Sequence, residues 1–136
     1  LPPLSFLHFP PKKADSSPDN WMVLTVKNAK ASLIASGIDG VSGLGATFSE
    51  NDIYFGVIRA TVRGQVKFFS AFVVGTDVGG MKRGKASLFK DAIFSNFELH
   101  GELVFTDGAA SFNSASFCEA VKKSLRISDL SLGDIV

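Results

Sequence analysis

The stretch Asp52–Val74, DIYFGVIRATVRGQVKFFSAFVV, decides how the rest of the chain is read. Asp52 to Val62 is rich in β-branched and aromatic residues and holds one glycine, so it reads as a long strand. Gly64-Gln65 is a tight-turn candidate. Val66 to Val74 is the most hydrophobic run of the chain and reads as a central strand, interrupted only by Lys67. Two such strands joined by a short turn imply antiparallel pairing.

Toward the N-terminus, Trp21 to Val26 (WMVLTV) reads as a buried strand, Asn28-Ala29-Lys30 as a turn and Ala31 to Ser36 as the returning strand of a hairpin. Gly37, Gly40, Gly43 and Gly45 then form a loose connection. Within it Val41, Leu44 and Phe48 keep a spacing that allows a short helix in spite of the glycines. Toward the C-terminus, Gly79-Gly80 ends the central strand and Met81 to Asn96 reads as the main helix. Its apolar stripe is Ala86, Phe89, Ile93 and Phe94, with Lys82, Arg83, Lys85 and Lys90 around the rest. Phe97 to Phe105 reads as another strand and Asp107-Gly108 as a turn. Ser111 to Leu125 reads as the last helix, capped by Ser111 or Asn113, with Cys118, Val121 and Leu125 as its stripe. Lys122, Lys123 and Arg126 fall at its C-terminal end, where the helix dipole favours cations. The order predicts an α+β domain with a central mixed sheet flanked by helices.

All five prolines lie in the first eighteen residues, so residues 1–19 read as an extended arm and not a helix. Leu4, Phe6, Leu7 and Phe9 give this arm apolar residues that suit a groove, on this domain or on a partner. Residues 20–126 read as one domain and 127–136 as a second short tail, with Leu130, Leu132 and Ile135 near alternating positions. A start at Leu1 points to a removed leader or a longer parent chain.

Composition excludes several functions. The chain has 136 residues, with 14 Lys and Arg against 13 Asp and Glu, a net charge of +1. That balance argues against nucleic-acid binding by bulk charge. Apolar runs of about five residues are too short for a transmembrane helix. One cysteine, Cys118, excludes an internal disulfide, and two distant histidines, His8 and His100, do not suggest a metal site. Thirteen phenylalanines predict a core of phenyl rings. No nucleophile elbow, zinc-protease helix or phosphate-loop sequence is present. Gly43-Leu44-Gly45 lacks a phosphate loop's context. His100 between Glu98 and Glu102 reads as a polar outer face more readily than as an acid-base pair. No cofactor and no catalysis are expected.

Four cations, Lys82, Arg83, Lys85 and Lys90, fall within nine residues that contain no acid, and they open a helix where the dipole opposes positive charge. That arrangement points to a negatively charged partner. Lys67 within an apolar strand must reach a rim or meet an acid.

From Asp52 to about Leu125 the chain resembles the actin-depolymerising-factor homology domain, and within that superfamily the coactosins. The carrying residues are Phe55-Gly56-Val57-Ile58-Arg59, Val66-Lys67-Phe68, and Met81-Lys82-Arg83-Gly84-Lys85 opening the long helix. Ser95-Asn96-Phe97, Phe105-Thr106-Asp107 and Glu119-Ala120-Val121-Lys122-Lys123 follow in order. The resemblance implies non-catalytic binding to the side of the actin filament, in the cytoplasm and cytoskeleton. It implies partner-binding roles for Lys67, Lys82, Arg83, Lys85, Lys122 and Lys123, with Lys67, Lys82, Arg83 and Lys85 in one exposed basic patch. It also implies a departure: the family's first helix gives way here to the proline-rich arm. The alternative is a homology domain reused as a structural subunit of a larger, even organellar, assembly, docked through that arm. A deep pocket with convergent polar groups would instead mark an enzyme or small-ligand binder.

Overall fold

The computed structural model describes residues 20–27 and 30–135. The arm, with its docking residues Leu4, Phe6, Leu7 and Phe9, and the turn residues Asn28 and Ala29 lie outside the described residues. Five strands form one mixed sheet: β1 (Trp21–Lys27), β2 (Lys30–Gly37), β3 (Ile53–Val62), β4 (Gln65–Val74) and β5 (Gly101–Phe105). Their spatial order is β2-β1-β3-β4-β5. Neighbours are antiparallel except β4 and β5, which run parallel through the crossover helix α2 (Gly80–Phe94). The other helices are the short α1 (Gly40–Ala46) and α3 (Ser114–Leu125).

The β3–β4 hairpin is the centre of the molecule, as its apolar runs predict. Its turn, however, is Arg63-Gly64 and not Gly64-Gln65. Both turn residues have positive φ, 49° and 82°, which is the geometry that follows the twist of a two-residue hairpin. Gln65 already pairs with Val62.

Alternation along the strands divides the core in two. Tyr54, Ile58, Phe69, Val73, Leu103 and Phe105 face α1 and α3, and meet Leu44, Phe112, Phe117 and Val121 there. Met22, Leu24, Phe55, Val57, Phe68 and Phe72 face α2, and meet Ala86, Ile93 and Phe94. Phenyl rings join these layers edge to face: Phe69–Phe117 at 5.9 Å and Phe105–Phe112 at 4.9 Å between centroids.

The glycine-rich connection does form a helix, α1, and within it a close contact requires the glycine at position 43. A Cβ on Gly43 would overlap an Asp39 carboxylate oxygen. That carboxylate accepts the indole N–H of buried Trp21 at 2.8 Å. Leu44 beside it is fully buried.

The fifth predicted strand, Phe97 to Phe105, is shorter than its alternation implies. Only Gly101–Phe105 pairs with β4, beginning at Phe69↔Gly101. Upstream the chain is unwinding from α2: the Asn96 side-chain amide donates to Ala92 and Ile93 carbonyls, and Phe97 N–H bonds Phe94. Phe97 and Leu99 pack on the α2-side core, not on the α3 side with Leu103 and Phe105. His100 makes the entry to the ladder: its N–H donates to Phe68 O at 2.7 Å, and its Nδ1 accepts from Phe68 N–H at 3.0 Å. The imidazole thus replaces a backbone carbonyl, a structural role for the residue flanked by Glu98 and Glu102. α3 is capped by Asn113, whose side chain accepts from Ser116 N–H while Ser116 Oγ accepts from Asn113 N–H.

Residues 127–135 lie on the domain. Leu130 is buried in the α3-side core and Ile135 bridges to Val62. Arg63 anchors the segment through Asp129 at 3.1 Å and Asp134 at 3.3 Å.

Candidate functional site

The basic helix start is built from three chain segments. α2 has no side-chain cap and no acid in its first turn; Gly79 precedes it in extended conformation. Local sequence therefore sets Lys82 and Arg83 against the dipole. Tertiary contacts resolve the conflict. The β3–β4 register places Ile53 opposite Val74, so Asp52 stands at the loop leading into α2. Its Oδ1 lies 2.8 Å from Lys82 Nζ. Burial pushes the Asp52 carboxyl up, but hydrogen bonds from the Lys82 ammonium and Ile53 N–H prevail and hold it below its ordinary value. The acid that the helix itself lacks thus comes from β3's edge.

Arg83 is turned inward. Its Nε donates to Val78 O at 3.0 Å, Nη2 to Gly75 O at 3.2 Å and Nη1 to Thr106 O at 3.4 Å. It ties the loop before α2 to the end of β5. Beside it Glu50 receives N–H bonds from Thr76 (2.9 Å), Ala109 (2.7 Å) and Ala110 (3.3 Å). The Ala109 and Thr76 bonds hold its carboxyl below its ordinary value. Glu50 and Arg83 together fix the loops at this end of the sheet.

The outward side of α2 differs from what its charges suggest. Met81 and Leu88 are each 79% exposed, and Lys85 stands between them on the same face at helical spacing. Among the described residues Lys85 makes no ion pair. Lys90 is instead folded over the Phe72 ring, 5.5 Å from its centroid. Sequence reading missed Asp52, Met81 and Leu88. The signal for the last two was available: they lie seven residues apart, opposite Ala86 and Ile93.

The structure does not assemble Lys67 with the helix lysines. Lys67 shares its side of β4 with Phe69, Ala71 and Val73, the α3 side, and lies by Leu125 and Ile127. It is eight residues from Gly75, about 26 Å along the strand. Lys122 and Lys123 occupy the last turn of α3, the former 3.9 Å from Glu119. The basic residues therefore form two groups, on opposite faces and at opposite ends of β4, and the single patch expected of Lys67, Lys82, Arg83 and Lys85 is not formed.

Among the described residues no cluster of three or more His, Cys, Asp or Glu could hold a metal. Cys118 is buried on α3. No helix of the described residues is long and apolar enough to cross a membrane.

No protein-family model and no curated sequence matches the chain. Solved structures do. Coactosin from Entamoeba histolytica superimposes with a TM-score of 0.71 at 20% identity, over 88% of this chain and 94% of that one. Mouse coactosin, described as an actin filament binding protein, gives 0.66 at 20% identity over 80% and 79%. A cofilin of Streptomyces griseoflavus gives 0.69 at 10% identity over 81% and 90%. The sheet order, the parallel β4–β5 crossover and these superpositions agree: the chain has the actin-depolymerising-factor homology fold, the fold of coactosin and cofilin.

Proposed function

We propose that the chain is a non-catalytic actin-binding module that meets the side of the filament through the outward face of α2, and that it works at the cytoskeleton. The observation that carries this reading is the exposed Met81–Lys85–Leu88 stripe. Two large apolar side chains left open on a helix, with cations beside them, are the composition of a docking surface and not of a solvated helix. In this reading Met81 and Leu88 anchor, Lys85 and Lys82 meet acidic groups at the rim, and Arg83 shapes the helix start from behind. Lys67, Lys122 and Lys123, on the other face, add long-range attraction to an acidic surface without sharing the contact. The likeness to a coactosin described as filament-binding supports actin as the partner.

High-speed co-sedimentation with actin filaments tests it. The wild type is expected to pellet with filaments, and Leu88→Asp to lose affinity by about tenfold or more, as for a central apolar anchor. Lys85→Glu is expected to weaken binding less and to flatten its salt dependence, with Lys67→Glu nearest to wild type. A wild-type chain that stays in the supernatant at low salt rejects actin as the partner. Pelleting that only Lys67→Glu abolishes moves the contact to the α3 side.

A further inference from the structure

The α2 face of the sheet carries one helix among the described residues, yet Leu24 on β1 and Ala31 on β2 are buried there. α2 crosses β3 and β4. Beyond it the same face continues over β1 and β2 without a helix among the described residues. Register sets the floor in two rows across the strands: Phe55, Leu24 and Leu33 in one, Val26 and Ala31 in the next. Where this strip meets α2, a groove of about 520 Å³ has Val26 and Phe55 at its bottom, Ala86 and Phe89 on its helix wall, and the Asp52–Lys82 ion pair at its end. At the outer rim Leu33 and Ile34 are 44% and 49% exposed. Two strands at about 4.8 Å spacing make this strip about 10 Å wide, the width of one chain segment with its side chains.

We propose that the occupant is this chain's own N-terminal arm, with Leu4, Phe6, Leu7 and Phe9 lying in the groove. Nineteen residues precede Asn20, which enters β1 at the far end of the same strip. From Asn20 to the groove floor at Leu24–Val26 is about 13–20 Å along β1. From Asn20 back to Phe9 an extended, proline-rich chain spans up to about 34 Å, so the reach is sufficient with room to turn. The arm's pattern fits a floor and a wall. At the three-residue period of such a chain, Leu4 and Leu7 form one ridge, Phe6 and Phe9 the next, and Ser5 and His8 the third. Two adjacent apolar ridges meet the strip and α2, and the polar ridge faces water. The docked segment needs no ladder hydrogen bonds, which the prolines at positions 2, 3, 10 and 11 deny it.

Cysteine cross-linking in the full-length chain tests this without actin, so its outcome is independent of the filament reading. The buried Cys118 is replaced by Ala, and Phe6→Cys is paired with Leu33→Cys or, as a control, with Val104→Cys. Val104 is 51% exposed on the same sheet face but on the other side of α2. Under mild copper-phenanthroline oxidation at low protein concentration, the Leu33 pair is expected to form a monomeric disulfide about tenfold faster than the Val104 pair. Equal rates, or no disulfide in folded monomer, overturn the proposal. Disulfide-linked dimers overturn it too, and assign the groove to the arm of a second copy. A second reading keeps it open to failure if cysteine perturbs the site: Phe6→Asp with Phe9→Asp is expected to lower Tm by about 3 °C or more, and Ser5→Asp with His8→Asp to leave it unchanged. Equal Tm for both pairs counts against docking.

Discussion

The two faces of the sheet are finished differently. On one, α1, α3 and residues 127–135 close over β3, β4 and β5, and Phe69, Phe112, Phe117 and Leu130 are buried among them. On the other, a single helix of fifteen residues lies across β3 and β4, and large apolar side chains stay exposed on its outer side and along β2. A face closed by several elements serves stability. A face closed by one helix leaves surface for another chain segment, and the unspent apolar residues of this protein are concentrated there.

The largest effect expected from this contrast separates Phe117 from Leu88. Phe117→Ala removes a ring that is 1% exposed and packed edge-on against Phe69, and is expected to lower unfolding free energy by about 3–5 kcal/mol. Leu88→Ala is expected to stay within about 0.5 kcal/mol. Urea unfolding of both variants measures the difference, and a comparable loss from Leu88→Ala would show that the outer side of α2 is structural.

A smaller effect probes how α1 closes its face. Gly43→Ala drives a methyl group into Asp39 and breaks the acceptor of the Trp21 indole, leaving that buried N–H unsatisfied. The expected loss is about 1–3 kcal/mol, with a shift in Trp21 fluorescence, the chain's single tryptophan. A neutral result would mean that Asp39 is not needed to hold α1 down.

The smallest effect concerns acid. Glu50 and Asp52 both have carboxyls held below their ordinary values of 4.5 and 3.8. A depressed pKa contributes stability that is complete above the unfolded value and lost as pH falls through the folded value. The urea midpoint of the wild type is therefore expected to drop more steeply below about pH 4.5 than that of Glu50→Gln, which already lacks the contribution at neutral pH. Parallel curves would remove Glu50 from the set of groups that tie the loops beside α2.

Much of this architecture was legible along the chain. The β-prone apolar runs of β3 and β4 with a short turn between them, and the stripe Ala86, Phe89, Ile93, identified the central hairpin and the inner side of α2. The strand at Phe97 was overextended because alternation alone does not reveal that Asn96 and His100 hold the chain off the ladder until Gly101. The site was less legible. Lysine spacing identified a basic helix start, but neither its acid, Asp52, nor the inward turn of Arg83 has any signature within nine residues.

The sequence by itself determined the elements, their order, the phenyl-rich core and the absence of a charge excess, since each follows from local period and composition. Only the tertiary structure decided which cations stand together. A β-strand sends neighbouring residues to opposite faces and separates its ends by tens of ångströms. Lys67 and Lys82, fifteen positions apart, therefore fall on different sides of the sheet, while Asp52 and Lys82, thirty apart, meet at 2.8 Å.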